Sequence, residues 1–323
     1  MKTSDGIDTY LQRKRALGLA YESVEFALRA FCRFTGDVPL EDLTTRHVLD
    51  FLNSRNSSTG TWRSKFRILR QFFEFSTDRG TMPALLMPQR RLPEHQPFHS
   101  LVYTHGEILS LIHATHGNQT NPLCVVSEQT LRTVLLALYG TGTTTGEMIK
   151  LKCGEVDLKR RMMSVCGDRI VQPRKIPISN DVRSLLHNYL RSKERQTFGG
   201  AYVFVSTSGS PLRDHWMARN FVRLRARSGI MRHDMGYREP QMRDLRSTFA
   251  VHRIAAWIKE GADLNRMLPA LSAYMGLSGV TAIERYLSLT PERFKKELNK
   301  LSPQKGRKHW RDDAGLMKFL AEL

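Results

Sequence analysis

The stretch Arg243-Asp244-Leu245-Arg246-Ser247-Thr248-Phe249-Ala250-Val251-His252 decides how the whole chain is interpreted. Its spacing predicts an amphipathic helix, because Leu245, Phe249 and Ala250 fall on one face at i, i+4 and i+5. Arg246 lies on the shoulder between the two faces. From a rigid helix, its planar guanidinium can donate a pair of hydrogen bonds to a phosphate. An ordinary amphipathic helix with a solvated arginine explains this stretch equally well, so the rest of the chain must separate the two interpretations.

The composition describes a globular chain with a large excess of positive charge. Its 323 residues are 41% apolar and 25% charged, which allows a large core and favours two domains. The formal net charge of +19 predicts a polyanionic partner, with nucleic acid as the first candidate and an anionic membrane surface as the second. No apolar run approaches the roughly 18 residues of a membrane span, and the N-terminus lacks a signal-peptide core. We therefore expect a cytoplasmic protein without a membrane partner, associated with the nucleoid when bound to DNA.

The four cysteines are widely separated and form no CxxC pair. Such a pattern is typical of buried thiols in a reducing cytoplasm and does not indicate a disulfide or zinc framework. We therefore expect no metal site, and we expect all four thiols to be buried: Cys32, Cys124, Cys153 and Cys166.

Changes in composition divide the chain into four segments. Apolar residues recur at helical spacing through residues 1–82, which predicts a small helical domain. Residues 83–103 carry four prolines and have the composition of an extended linker. A larger domain follows over residues 104–292, and residues 293–323 form a basic tail with an amphipathic end helix.

The first domain holds the clearest candidate for contact with DNA. Thr44 or Thr45 is the expected N-cap of one helix, and residues 62–75 are predicted to form a further helix. This second helix carries four basic residues beside its apolar ones: Arg63, Lys65, Arg67 and Arg70. They are interpreted either as a solvated cationic face or as a face that grips phosphates, and the charge of the whole chain favours phosphates.

The second domain alternates helical patterns with short strand patterns. A strongly apolar helix over residues 130–139 ends at the small residues Gly140-Thr141-Gly142. The remaining predicted elements are strands over 156–158, 161–165 and 174–178, a short strand or extended segment over 202–205, and helices over 181–192 and 217–227. The sequence therefore predicts a mainly α fold with a small β-sheet, an α+β protein.

Several motifs, in this order, resemble those of tyrosine recombinases, the phage-integrase and Xer-like site-specific DNA recombinases. They are Leu138-Tyr139-Gly140-Thr141-Gly142 with Glu147 five residues on, the hairpin ending Ile176-Pro177-Ile178, the Asp244–Ala250 stretch, and Tyr274-Met275-Gly276-Leu277-Ser278 with Tyr286 nine residues beyond Leu277. The domain order, the linker and the basic tail agree. The resemblance implies a helical core-binding domain followed by a recombinase catalytic domain, acting on double-stranded DNA beside other recombinase protomers.

The resemblance also implies a mechanism without metal, ATP or another cofactor. A tyrosine hydroxyl attacks a DNA phosphodiester and forms a 3′-phosphotyrosine. Two arginines hold the non-bridging oxygens as charge develops there. A lysine on the hairpin protonates the leaving oxygen, and two histidines assist proton transfer and positioning.

Only part of this set is present. Tyr286 matches the nucleophile and Arg246 the second arginine, whereas Thr144 stands at the position of the first arginine. Arg243 and Leu277 stand at the two histidine positions. The hairpin lysine position falls near Arg169, with Lys175 as an off-register substitute.

Two functions therefore remain open at the level of sequence. One is an active recombinase or integrase of a mobile element that cuts and rejoins DNA through Tyr286. The other is a DNA-binding family member with an impaired site, which acts as an architectural or regulatory partner of an intact recombinase. Arg246 and Tyr286 favour the first, while Thr144, Arg243 and Leu277 favour the second. The tail helix either docks on a neighbouring protomer, as in the resembled family, or folds back on its own domain.

Overall fold

The computed structural model describes most of the chain: residues 1–19, 21–54, 59–84, 87–88, 100–117, 124–167, 173–231, 239–277, 279–287 and 289. These residues belong to two compact units that divide between Pro97 and Phe98. Arg169, the tail over 293–323 and most of the predicted linker over 83–103 lie outside the described residues.

The first unit is helical. Its helices are α1 (Thr3–Ala16), α2 (Glu22–Thr35), α3 (Thr45–Asn53) and α4 (Thr59–Asp78), with a 3-10 turn at Leu40–Asp42. Thr44 is the N-cap of α3, as predicted, since its side chain accepts the hydrogen bond of the His47 amide. Aromatic rings fill the core, where Phe31 packs edge-on against Phe51 and Phe73.

Three apolar residues that recur at helical spacing in this part of the sequence are exposed in the structure. Leu17 is 68% exposed because α1 has already ended at Ala16. Phe26 is 74% exposed because it lies on the side of α2 opposite Leu28, and Phe34 is 46% exposed near the end of the same helix.

The second unit is built mainly from helices, with a three-stranded sheet. Its helices are α5 (His105–His113), α6 (Glu128–Thr141), α7 (Thr145–Ile149), α8 (Asn180–Arg191), α9 (Lys193–Gln196), α10 (Asp214–Ser228), α11 (Asp244–Glu260), α12 (Leu264–Met275) and α13 (Glu284–Leu287). The strands β1 (Val156–Asp157), β2 (Met162–Val165) and β3 (Arg174–Pro177) pair in antiparallel order β1-β2-β3. The predicted mainly α fold with a small sheet is confirmed.

The apolar core of the second unit surrounds α6. Leu131, Val134 and Leu138 of this helix are buried, and α8 and α11 pack against it. α6 ends at Gly142, which adopts the left-handed conformation. A side chain at position 142 would collide with the ring of Phe249 on α11, because a Cβ there would lie 2.2 Å from a ring carbon. The predicted extended segment is present, with isolated bridges from Tyr202 to Lys152 and from Val205 to Pro211.

The cysteine prediction was wrong for two of the four thiols. Cys32 and Cys124 are buried, Cys153 is half-buried, and Cys166 is exposed because it follows the last residue of β2. Within the described ranges, no three His, Cys, Asp or Glu side chains are grouped so that they could hold a metal ion. Likewise, none of the described helices combines the length and apolar character needed to cross a membrane.

Candidate active site

Arg246 lies in the first turn of α11 and joins the ends of two other helices. Its Nη1 donates to the carbonyl of Gly142 at 2.7 Å, and its Nη2 donates to the carbonyl of Met275 at 2.6 Å. These carbonyls lie at the C-termini of α6 and α12, where the helix dipoles favour a cation. Only 14% of the Arg246 side chain is exposed, so it is not the solvated arginine of an ordinary surface helix.

Thr144 has a structural role as the N-cap of α7. Its hydroxyl accepts the Glu147 amide at 3.2 Å, and its own amide donates to Oε2 of Glu147 at 2.7 Å. This reciprocal pair is a capping box. The residue at the position of the first arginine therefore fixes the orientation of the Glu147 carboxylate.

Glu147 is a buried carboxylate between two guanidinium groups. Its side chain is 5% exposed; Oε1 accepts Nη1 of Arg174, and Oε2 lies 3.9 Å from Nη1 of Arg246. Burial alone would raise the pKa of Glu147, but the Arg174 hydrogen bond, the Thr144 amide and the charges of both arginines lower it overall. The carboxylate is therefore ionised near neutral pH.

Arg174 belongs to this cluster and was missed when the sequence was interpreted. Its Nε donates to the carbonyl of Tyr274 at 3.1 Å, next to the carbonyl that holds Arg246. Gly276 makes room for it, since a Cβ at that position would lie 2.9 Å from the guanidinium carbon. Strand alternation could have identified Arg174, because it shares the inward face of β3 with the buried Ile176, while Lys175 between them is exposed.

Leu277 also has a structural role. The amide of Gly276 donates to the carbonyl of Ala273 at 3.0 Å, and the amide of Leu277 donates to the carbonyl of Ser272 at 3.0 Å. With Gly276 in the left-handed conformation, these bonds form a Schellman motif that ends α12. Leu277 is the apolar residue that such a motif packs inward, and it contacts the core cluster of α11 and α12.

Arg243 is exposed immediately before α11, three residues before Arg246. It lines a cleft together with Thr145, Arg225 and Glu239. A guanidinium cannot act as a base near neutral pH, so Arg243 can supply charge there but cannot take over the proton transfer of a histidine.

Tyr286 lies on α13, which packs against α11. The tyrosine is 4% exposed and belongs to the apolar cluster that contains Phe249 and Ile254. Arg246 and Tyr286 are therefore carried by two helices in direct contact.

His252, on the same helix as Arg246, has a structural role. Its Nδ1 is hydrogen-bonded to the Tyr139 hydroxyl at 2.9 Å, and its ring stacks on His105 with 4.5 Å between centroids. Burial, followed by the charge of His105, lowers the pKa of His252 against the opposing effect of a hydrogen bond to the Tyr103 backbone.

The basic residues of α4 do not form a single face. Arg63, Arg67 and Arg70 are exposed at i, i+4 and i+7, and we call them the α4 arginine stripe. Arg70 also donates to Glu74 at 2.7 Å. Lys65 turns away from the stripe and places its Nζ 4.6 Å from the ring centroid of Phe51, where it makes a cation–π contact.

The chain is similar in sequence to several known proteins. The model of the phage integrase family matches residues 102–293, more than half of the chain. The chain is 24% identical over 291 residues to the "Putative integrase/recombinase y4rE" of Sinorhizobium fredii, covering 87% of this chain and 90% of that one. It is 26% identical over 234 residues to tyrosine recombinase XerC of Staphylococcus carnosus, covering 72% and 73% of the two chains.

Two solved structures share the fold. The Tn1549 transposon integrase in complex with a circular intermediate DNA has a TM-score of 0.61 at 16% identity, with 92% of this chain and 99% of that chain covered. A lambda integrase dimer bound to a COC′ core site has a TM-score of 0.57 at 19% identity, with 88% and 77% covered.

Proposed function

Because the chain belongs to the phage integrase family of tyrosine recombinases, we propose that it cuts and rejoins duplex DNA through a phosphotyrosine formed at Tyr286. The Tyr286 hydroxyl gives up its proton as its oxygen attacks the phosphorus, the bond to the 5′ oxygen breaks, and that oxygen takes up a proton and leaves as a 5′-hydroxyl. The reverse attack by a 5′-hydroxyl of another strand reseals the DNA and frees the tyrosine. The reaction needs neither an oxidant nor an external energy source, since one phosphodiester replaces another.

The observation that carries this proposal is the placement of Arg246 and Tyr286 on the contacting helices α11 and α13. Arg246 is held at both terminal nitrogens by helix-end carbonyls and lies beside a buried carboxylate, so it is oriented before any substrate binds. Preorganised cations of this kind stabilise the charge that develops on a phosphoryl group. Arg243 is proposed to add charge at the same site, and the hairpin residue Arg169 to act near the leaving oxygen, with Lys175 as a DNA contact.

The burial of Tyr286 adds a requirement to the proposal. A nucleophile must come within about 3–3.5 Å of the phosphorus in a near-attack geometry. A tyrosine that is 4% exposed cannot do so in the conformation described. We infer that DNA binding moves α13 and exposes the hydroxyl, in the way that binding often completes a catalytic site.

The proposal extends to the partners of the chain. The α4 arginine stripe and the net charge of +19 favour contacts with DNA phosphates. Structures of related fold contain a lambda integrase dimer on a core site and a lambda integrase tetramer on a Holliday junction. By analogy, this chain is proposed to act as an oligomer on DNA, with the tail over 293–323 joining neighbouring protomers. The likeness to a transposon integrase favours a mobile element as its context, in the cytoplasm and at the nucleoid.

The test is capture of the covalent intermediate. Duplexes selected for binding from a random-sequence library are nicked at successive positions, so that cleavage next to a nick releases a short fragment and prevents resealing. The wild-type chain should form a protein–DNA adduct that survives denaturation, and Tyr286→Phe should form none. Arg246→Gln should lower the rate of adduct formation by about 10²–10³-fold, the usual effect of losing one donor to a developing oxyanion.

The second candidate function is a DNA-binding partner with an impaired site, and specific observations favour it. Thr144 caps the start of α7 and Leu277 completes the Schellman motif at the end of α12, so two positions that carry catalytic groups in the resembled family have structural roles here. A chain that binds selected duplexes tightly but forms no adduct at any nick would support this alternative and contradict the first proposal.

A further inference from the structure

Among the residues that the structure describes, the cluster around Glu147 carries a net positive charge. One buried carboxylate faces two guanidinium groups, those of Arg174 and Arg246, which leaves an excess of one positive charge. A single arginine would neutralise Glu147. Buried unpaired charge is costly, and the excess is explained if the cluster is completed by an anion.

The nitrogens of Arg174 show where such an anion binds. Nε donates to the Tyr274 carbonyl and Nη1 to Glu147, whereas Nη2 is buried and has no hydrogen-bond partner among the residues that the structure describes. Buried donors are normally paired, because an unpaired one loses its hydration without compensation. The side chain as a whole is 23% exposed, whereas Nη2 itself is buried, so a DNA phosphate reaches Nη2 only after the groups that cover it move.

Arg174 and Arg246 also lie side by side. They are held by consecutive carbonyls, those of Tyr274 and Met275, and both contact the carboxylate that Thr144 orients. Gly276 follows these carbonyls and leaves the space that the guanidinium of Arg174 occupies. Thr144 and the guanidinium of Arg174 therefore both contact the same side chain, that of Glu147, although they come from different elements.

We propose that Arg174 supplies the second cation of the phosphate site, in place of the side chain that Thr144 cannot provide. Its Nη2 donates to a non-bridging oxygen of the DNA phosphate that Tyr286 attacks, while Arg246 serves the other side of the same group. This inference rests on the proposed function for the identity of the anion. A purely structural arginine, which only joins Glu147 to the end of α12, is the alternative that the experiment must exclude.

The first measurement is a binding cycle that does not depend on cleavage. Tyr286→Phe protein is titrated with a selected duplex in which one phosphate at a time is replaced by a neutral methylphosphonate. Neutralising the phosphate held by Arg174 should weaken binding about tenfold, the typical loss for a hydrogen bond between charged groups. In the Arg174→Gln background, the same replacement should cause a clearly smaller loss, because only the contact with Arg246 remains to be lost.

The matched control is Arg183→Gln. Arg183 also donates through Nε to a backbone carbonyl, that of Leu158 at 3.1 Å, but it is exposed on α8. Its variant should keep the full response to methylphosphonate at every position. If Arg174→Gln unfolds the chain, the pair Glu147→Gln and Arg174→Gln, which leaves no uncompensated acid, is compared with Glu147→Gln alone.

The second measurement separates this inference from the proposed function. Arg174→Gln should lower the rate of adduct formation on ordinary DNA by about 10²–10³-fold, and a methylphosphonate at the cleaved position should remove most of that difference. If wild-type protein forms no adduct at all, the proposed activity is wrong, yet the binding cycle still decides the role of Arg174. A methylphosphonate response that is the same with and without Arg174 at every position overturns the inference, whatever the outcome for cleavage.

Discussion

Replacing Glu147 is the most informative single change for measuring what stabilises the site. Glu147→Ala removes the partner of two guanidinium groups that are only 23% and 14% exposed. It also removes the acceptor of the Thr144 amide at the start of α7. Both effects destabilise the second unit, and they differ enough in size to be separated.

The magnitude follows from the burial of the cluster. Removing one partner of a buried ion pair typically costs about 3–5 kcal/mol, and the partial exposure of both arginines places this case at about 3 kcal/mol. Loss of a capping interaction costs about 1 kcal/mol. For a unit of this size each kcal/mol lowers Tm by about 2–4 °C, so the change should lower Tm by roughly 8–16 °C.

Glu107→Ala is the matched control. Glu107 forms the same capping box with Thr104, in which the Thr104 amide donates to Oε2 at 2.7 Å and the Glu107 amide donates to the Thr104 hydroxyl at 3.2 Å. Among the described residues, Glu107 makes no ion pair. The control should lower Tm by about 2–4 °C, the effect of the cap alone.

The assay is scanning calorimetry of the whole chain at neutral pH, with both changes read in the transition of the second unit. The combination of Glu147→Ala with Arg174→Ala should destabilise less than the sum of the two single changes, because the second removes a charge that the first leaves unpaired. Equal Tm losses for Glu147→Ala and Glu107→Ala would refute the reasoning, since the ion pairs would then contribute nothing beyond the cap.

Three further predictions concern DNA binding, pH and domain structure. Replacing the three arginines of the α4 arginine stripe with glutamine should reduce the slope of log Kd for DNA against log salt by about 2–3. Lys65→Gln should change this slope little, because the Lys65 ammonium contacts the ring of Phe51. Equal effects of the two changes would contradict the proposal that the stripe contacts DNA phosphates. Because the pKa of His252 is lowered in the folded chain, the unfolded chain takes up this proton first as the pH falls. Stability should therefore decrease as the pH drops below the ordinary histidine pKa of about 6.5. His252→Gln should weaken this pH dependence in thermal melts between about pH 5 and 8. Limited proteolysis of the free chain should cut first within residues 83–103, and bound DNA should protect this segment. Early cleavage inside α6 would show that the proposed boundary between the two domains is misplaced.

The fold could be predicted from the sequence because its strongest signals are local. The apolar face of α11, the small residues at the end of α6 and the alternation in β2 and β3 are each local signals for one element. The order of the motifs then indicates the whole fold. Phe26 shows the limit of this reasoning, since this aromatic residue recurs at helical spacing and yet lies on the solvent face of α2.

The site was only partly predictable, because several of its residues act through tertiary contacts. Thr144 and Leu277 were recognised as departures from the family pattern, but their structural roles at helix ends depend on backbone geometry that a motif does not display. Arg174 contacts Glu147, which lies 27 residues earlier, and the end of α12, which lies 100 residues later. Neither separation corresponds to a recognisable sequence spacing. The sequence signal for Arg174 is therefore its place on the inward face of β3.

The central claim is that Tyr286 becomes covalently linked to DNA, and the most direct measurement locates that bond. Protein trapped on nicked duplex is digested with trypsin and nuclease, and the peptide that carries the nucleotide is identified by mass spectrometry. Cleavage after Arg285 predicts a modified peptide over residues 286–293 with the phosphate on its first residue. A nucleotide attached to any other residue, or bound protein without a modified peptide, would contradict the assignment of Tyr286 as the nucleophile.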